Sequence, residues 1–231
     1  MLDASKIRAI SLDLDDTLWP VWPTIARAEI HMQDFLRPHA PATAALMADP
    51  QARTQLRDAM VSAQPASAHD MSALRLGMIE LALQRCGESE ALAPEAFGVF
   101  YAARQQVDLY ADSAGALARL AARFPLLALT NGNADVYLVG IGHFFVGSVG
   151  AHTVGLPKPH KAIFDAAASA LGCRHEEVLH VGDDAQLDVL AALDAGMQSV
   201  WVNRSGADWP HARGPHLEVT SLDALCDALG V

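Results

Sequence analysis

The sequence predicts an α/β fold, a doubly wound parallel sheet with an inserted helical domain. Four short apolar runs of strand length are bounded by Gly, Asn or Asp, and helical patterns lie between them. A long stretch, residues 18–104, shows helical spacing and no convincing strand. Strands that alternate with helices are typical of a sheet covered on both faces. We therefore expect residues 1–17 and 105–231 to form the core and residues 18–104 to form the insertion.

The predicted core strands follow from the apolar runs. The run at residues 7–12 is followed directly by acidic residues, which suits a buried strand whose carboxyl end opens into a site. Similar runs predict strands at residues 126–130, 178–181 and 199–202.

The predicted helices follow from apolar residues at i, i+3, i+4 and i+7. The clearest core helix is PHKAIFDAAASALG, residues 159–172, and two others are expected at residues 112–123 and 185–195. Prolines divide the insertion into four predicted helices, at residues 24–36, 51–62, 71–86 and 95–109.

Composition excludes several classes of partner. The net charge of -11 and pI near 5.2 argue against nucleic acid and anionic membranes, which require a basic face. The longest apolar-looking run, residues 136–150, is shorter than the roughly 20 residues of a membrane-spanning helix. Two aspartates interrupt the N-terminus before a signal peptide could be completed, and the three cysteines show no metal or disulfide spacing. We expect a cytoplasmic protein.

A D-x-D-x-T array, residues 13–17, follows the first predicted strand. Alternation along an extended backbone points Asp13 and Asp15 to the same side, so that both carboxylates can approach one centre. An acidic turn with Thr17 as an ordinary cap would give the same pattern. The array is therefore informative only together with other strand ends.

Two further strand ends carry groups that suit a phosphoryl ligand. Thr130 and Asn131 end the second run, where a hydroxyl and backbone N–H groups can hold phosphoryl oxygens, although T-N-G alone is often a simple turn. Lys158 stands between Pro157 and Pro159, which stiffen the backbone that presents its ammonium.

The run at residues 178–181 leads to Asp183, Asp184 and Asp188. Hard oxygen ligands at the edge of a parallel sheet suit Mg²⁺. Asp184 can also be the N-cap of the helix that follows.

These four motifs, in this order, resemble those of the haloacid dehalogenase superfamily over essentially the whole chain. The resemblance implies a Rossmann-like core with a type-one helical cap, here residues 18–104, that could cover the site. It implies a phosphohydrolase that acts on a small phosphorylated metabolite, with Asp13 as nucleophile and Asp15 as acid/base. Thr17 would orient Asp15, and Mg²⁺ would be held by Asp13, the Asp15 carbonyl and Asp183.

The same resemblance assigns the other candidate residues. Thr130 and the Asn131 N–H would bind phosphoryl oxygens, and Lys158 would supply a second positive charge. Asp184 and Asp188 would hold metal-bound water or orient Lys158.

Other activities share this fold, and Asp15 separates them. The dehalogenases of the superfamily lack an acid at the second aspartate, and the phosphonate hydrolases require a cap lysine, which residues 18–104 do not contain. A phosphomutase is the nearest alternative, and a non-catalytic binding protein would lack part of the set.

LDLDDTL, ALTNGNAD and LHVGDD resemble bacterial phosphatases of flavin mononucleotide and of 5-amino-6-(5-phosphoribitylamino)uracil. Trp19 and Trp22 could stack on such a substrate or serve packing, and His180 is expected to be a core residue without a role.

Overall fold

Six parallel strands form one sheet in the computed structural model, which describes residues 1–231. In chain order the strands are Ala9–Leu12 (β1), Leu126–Thr130 (β2), Phe145–Gly150 (β3), Val178–Gly182 (β4), Gln198–Val202 (β5) and Leu217–Val219 (β6). Their spatial order is β3-β2-β1-β4-β5-β6. Every residue of β1, β2, β4 and β5 is buried, as expected of strands covered on both faces. The predicted fold class is confirmed.

The direction of winding reverses beside β1. From β1 the chain adds β2 and β3 on one side, and it then returns to add β4, β5 and β6 on the other. In open parallel sheets such a reversal leaves a crevice outside the carboxyl ends of the strands. The residues that follow β1, β2 and β4 share this edge.

Two strands, β3 and β6, are absent from the sequence-based prediction, and both lie at an edge of the sheet. In β3, which reads FVGSVG, only the two end residues are buried, and β6 has three residues of which one is buried. A half-covered edge strand has no continuous apolar run, so the signal that predicts the inner strands is missing.

Five helices form a compact unit over residues 21–107. They are Val21–His39 (α1), Pro41–Ala48 (α2), Pro50–Ala63 (α3), Met71–Cys86 (α4) and Ala93–Arg104 (α5). One apolar cluster draws residues from all five. The four predicted helices correspond to α1, α3, α4 and α5, but the predicted number is wrong because Pro41 begins a further helix, at a position where the missing N–H has no cost.

The second compact unit comprises residues 1–20 and 108–231, so the boundaries lie three residues beyond the predicted 17 and 104. Its helices are Ser113–Ala121 (α6), Val136–Val139 (α7), Ala151–Val154 (α8), Lys161–Leu171 (α9), Ala191–Ala195 (α10) and Leu222–Leu229 (α11). α9 and α10 pack on β2 and β4 in one apolar cluster. The helix predicted at residues 185–195 begins as a π-helix, Ala185–Leu190. None of the helices has the length and apolarity required to cross a membrane.

Candidate active site

Lys158 lies buried between two carboxylates at the carboxyl edge of the sheet. Its ammonium donates hydrogen bonds to Asp13 Oδ1 (2.6 Å) and Asp188 Oδ1 (2.5 Å), and its side chain is 3% exposed. The backbone N–H of Asp13 still donates to the Val181 carbonyl of β4 (2.9 Å). Asp13, the candidate nucleophile, therefore lies where the hydrogen-bonded pairing of β1 with β4 ends.

Asn131, at the end of β2, fixes the backbone of Lys158. Its side-chain amide donates to the Lys158 carbonyl (2.9 Å), and its Oδ1 accepts from the Lys158 N–H (2.7 Å). Beside it, Thr130 Oγ1 accepts from the Gly132 N–H (2.9 Å). The structure thus gives the Asn131 side chain a use that the sequence pattern did not indicate, while the expected contact of its N–H with phosphoryl oxygen stays a prediction.

Thr17 contacts Asp183 and not Asp15. Its buried hydroxyl donates to Asp183 Oδ1 (2.9 Å), whereas Asp15 Oδ1 accepts from Trp19 Nε1 (2.8 Å). The expected partner of Thr17 is therefore corrected. Between them Asp16 adopts a left-handed backbone with φ 58°, and its N–H donates to the Trp19 carbonyl (2.7 Å).

Asp188 holds Lys158 from the π-helix. Its Oδ1 accepts from Lys158 and faces His180 Nε2 (3.2 Å), and its Oδ2 accepts from the Asp184 N–H (3.0 Å). A Cβ at Gly182 would lie 2.3 Å from Asp188 Cγ, so the end of β4 must be glycine for this carboxylate to approach. Asp188 therefore contacts Lys158 directly, and its expected role of orienting that lysine stays a prediction.

The side chains of His180 and Asp184 both form hydrogen bonds within the fold. His180 is fully buried in β4, and burial lowers the pKa of its imidazole, so the ring is neutral. In that form Nε2–H donates to Asp188 and Nδ1 accepts from the Ser11 hydroxyl (2.9 Å). Asp184 Oδ1 accepts from the Gln186 and Leu187 N–H groups, as the N-cap alternative predicts.

The candidate residues line one cleft. Its lining consists of Asp13, Asp15, Thr130, Asn131, Gly132, Lys158, Asp183, Asp184, Leu187 and Asp188. Thr17 is the predicted site residue that does not line it. One carboxylate oxygen each from Asp13, Asp183 and Asp188 lie within 4.8 Å of one another. Three hard oxygen donors at this spacing fit a divalent cation such as Mg²⁺.

The electrostatics of the cleft also fit a cation. Burial, together with the charges of Asp188 and Asp183, raises the pKa of Asp13 well above its usual value, although Lys158 opposes the shift. Burial and the charge of Asp188 raise the pKa of Asp183 to about 7. Burial opposes the charge of Lys158, but Asp13 and Asp188 outweigh it and raise the pKa of its ammonium. One ammonium does not neutralise three carboxylates, so the site favours a further positive charge.

Besides His180, three side chains that contact the site residues were not among the candidate catalytic or binding residues. Trp19 donates to Asp15, and Trp201 Nε1 donates to the Asp183 carbonyl (2.7 Å). Arg204 Nη2 donates to the Thr17 carbonyl (2.9 Å). The only sequence signal for Trp201 and Arg204 is their position in or just after the strand beside β4.

The chain is similar to known proteins over most of its length. The family model described as haloacid dehalogenase-like hydrolase matches residues 7–196. The 5-amino-6-(5-phospho-D-ribitylamino)uracil phosphatase YigB of Escherichia coli (strain K12) is 35% identical over 228 residues, which is 95% of each chain. The phosphoserine phosphatase of Thermus thermophilus is 35% identical over 147 residues, 61% of this chain and 59% of that protein.

A solved structure is also similar to this chain, both in sequence and in fold. The 2-haloacid dehalogenase from Pseudomonas syringae pv. Tomato DC3000 superposes with a TM-score of 0.91 at 33% identity, covering 97% of this chain and 98% of that one. The family match, the curated phosphatases and the four motifs at the sheet edge agree. The protein therefore belongs to the haloacid dehalogenase-like hydrolases and is an enzyme of their phosphatase type.

Proposed function

We propose that this enzyme is a Mg²⁺-dependent phosphomonoester hydrolase that acts through an aspartyl-phosphate on Asp13. The observation that carries the proposal is the buried contact of Lys158 with Asp13, beside Asp183 in the same cleft. A carboxylate can attack a phosphate dianion only where positive charge surrounds both groups. Lys158 supplies one positive charge, and the carboxylate cluster would bind a metal ion that supplies more.

Asp13, Asp183 and the Asp15 carbonyl would hold the metal ion. When bound, Mg²⁺ would neutralise charge on the phosphoryl oxygens and on the attacking carboxylate. Asp188 belongs to the same group of carboxylate oxygens, but Lys158, His180 and the Asp184 N–H already contact both of its oxygens, so we assign it to Lys158 and not to the metal ion. Asp184 would reach metal-bound water with the oxygen that does not cap the helix.

The protein residues divide the chemistry into two steps. An oxygen of Asp13 forms a bond to phosphorus while the bond from phosphorus to the leaving oxygen breaks, and Asp15 gives that oxygen its proton. In the second step the oxygen of a water molecule forms a bond to phosphorus while the bond from phosphorus to the Asp13 oxygen breaks, and Asp15 takes up a proton from that water. Phosphate is released and Asp13 is restored. Lys158, Thr130 and the Asn131 N–H would bind the phosphoryl oxygens throughout.

Asp15 favours this activity over the alternatives on the same fold. One similar structure carries the name of a 2-haloacid dehalogenase. Dehalogenation has no leaving oxygen to protonate, so it does not require an acid at Asp15 or a metal ion. A phosphomutase would use the same residues and differs in returning the phosphoryl group to its substrate. A binding protein would not need the complete set.

For the substrate, we propose a flavin-pathway phosphate ester. The support is the similarity to the YigB phosphatase over 95% of both chains. Trp19 is fully buried, so its ring serves packing and not stacking on a substrate, whereas Trp22 is 75% exposed. We propose that residues 21–107 act as the cap that selects the substrate.

A kinetic panel tests the activity and the substrate together. The panel contains flavin mononucleotide, 5-amino-6-(5-phosphoribitylamino)uracil, nucleotides, glucose phosphates and 2-chloropropionate. We expect the esters to release phosphate, a reaction that EDTA abolishes and Mg²⁺ restores, and 2-chloropropionate to release no chloride. Glucose phosphates should yield glucose rather than an isomeric glucose phosphate. Flavin-pathway esters should have the highest kcat/KM, and similar values for all esters would contradict that preference.

Mg²⁺ affinity should depend on pH because the ion competes with a proton on Asp183. The folded pKa of this carboxyl, about 7, lies above its ordinary value of 3.8, so the metal-free fold loses stability as pH rises between these values. Below pH 7 we expect the Mg²⁺ affinity to weaken by about tenfold per pH unit for each of the two carboxyl ligands, Asp183 and Asp13, that must lose a proton. Calorimetric titration from pH 5.5 to 8.5 measures it, and an affinity that does not change with pH would contradict the assignment.

A further inference from the structure

The indole of Trp19 is a fixed hydrogen-bond donor directed at Asp15. Its Nε1 lies 2.8 Å from Asp15 Oδ1, and the residue has no exposed surface. Asp15 and Trp19 also form a parallel bridge, which closes the loop after β1 on itself. The ring therefore belongs to the loop that carries the acid/base candidate.

The backbone around Trp19 is held from outside the loop. The Leu18 carbonyl accepts from the Tyr110 N–H (3.0 Å) and from the Ser113 hydroxyl (2.8 Å). The preceding Thr17 carbonyl accepts from Arg204. Because these contacts fix the backbone on the N-terminal side of Trp19, the buried indole is held at a fixed place beside the carboxyl of Asp15.

An indole N–H can donate and cannot accept. A carboxyl oxygen that receives this hydrogen bond is the poorer place for a proton, so Oδ2 is the better placed oxygen to carry a proton to the leaving group. Asp15 must bring that proton to the leaving oxygen as its bond to phosphorus breaks. The indole thus selects both the orientation of the carboxyl and the oxygen that delivers the proton.

Building on the proposed function, we propose that Trp19 is a positioning residue that holds Asp15 for proton delivery to the leaving group. Its effect should depend on how much the leaving oxygen needs a proton. An alkyl phosphate releases a strongly basic alkoxide, whereas 2,4-dinitrophenyl phosphate releases a stable phenolate that needs none. A residue with only a structural role would affect both esters to the same extent.

The test is kcat/KM for these two esters in the Trp19→Phe enzyme, because kcat/KM reports the step that breaks the ester bond. We expect a loss of about 10- to 100-fold for the alkyl ester, part of what a general acid contributes, and less than about 3-fold for the dinitrophenyl ester. Equal losses, or none, would overturn the proposal. If Phe is not tolerated, benzothienylalanine at this position replaces the N–H by sulfur and keeps the bicyclic shape.

Two matched variants separate the possible failures. Trp201→Phe removes another buried indole N–H, the one that donates to the Asp183 carbonyl. It should lower kcat/KM by the same factor for both esters. Asp15→Asn should show the full dependence on the leaving group. If it does not, the acid role in the proposed function fails. If Asp15→Asn shows the dependence and Trp19→Phe does not, only the role of Trp19 is refuted.

Discussion

Asp13→Asn is expected to lower kcat by on the order of 10⁴-fold or more, because an amide does not form the covalent intermediate. The variant keeps the shape of the side chain and can still contact Lys158. The measurement is turnover of the preferred ester with saturating Mg²⁺, beside Asp227→Asn, which changes an exposed carboxylate whose side chain is 74% accessible. Turnover within tenfold of the parent would refute the nucleophile assignment.

The same variant should fold at least as stably as the parent without metal. Burial and two neighbouring carboxylates raise the pKa of Asp13, so a charge at this position is costly above its ordinary pKa. An amide removes that charge. Thermal unfolding at pH 8 in EDTA should therefore give an equal or higher Tm, which also shows that lost activity is not lost folding.

Lys158→Met is expected to cost about 3–5 kcal/mol of unfolding free energy at neutral pH, in addition to activity, because it leaves two carboxylates buried without their cation. Lys161→Met is the matched control. Lys161 pairs with Asp165 on the surface, where both side chains are about half exposed, and its loss should cost less than about 1 kcal/mol. Urea unfolding of both variants measures the difference.

The cost of Lys158→Met should shrink in acid. In the parent, Lys158 keeps the pKa of Asp188 well below its ordinary 3.8, so this carboxylate stays charged and paired at both pH 4.5 and pH 8. In the variant, the carboxyls can take up protons as pH falls toward 4, which relieves the buried charge. Adding Asp13→Asn should recover part of the loss at pH 8. A cost that is the same at pH 4.5 and pH 8 would contradict this account.

The four inner strands of the sheet could be predicted because burial on both faces leaves a continuous apolar run. The runs at β1, β2, β4 and β5 all correspond to observed strands. The edge strands β3 and β6 could not be predicted, since packing on a neighbour and not their own composition makes them extended. The helix beginning at Pro41 was missed for a related reason, because a proline can end one helix and begin the next.

At the site, the residue types were predictable but the directions of their hydrogen bonds were not. The motifs bring Asp13, Lys158 and Asp183 to one edge because parallel strands all end there. Which partner the Thr17 hydroxyl reaches depends on the register between the loops after β1 and β4, and this is a tertiary property. Trp19 was predictable only as an aromatic residue near the loop, and its contact with Asp15 depends on the turn at Asp16.

The left-handed backbone at Asp16 limits which sequences can carry this loop. Near φ 58° Gly, Asn and Asp are tolerated, whereas β-branched residues such as Val and Ile are strongly disfavoured. Relatives that share the turn should therefore vary at this position only among small or short polar residues. Such restricted variation would look like functional constraint in an alignment, although it arises from backbone shape and not from a part in the reaction.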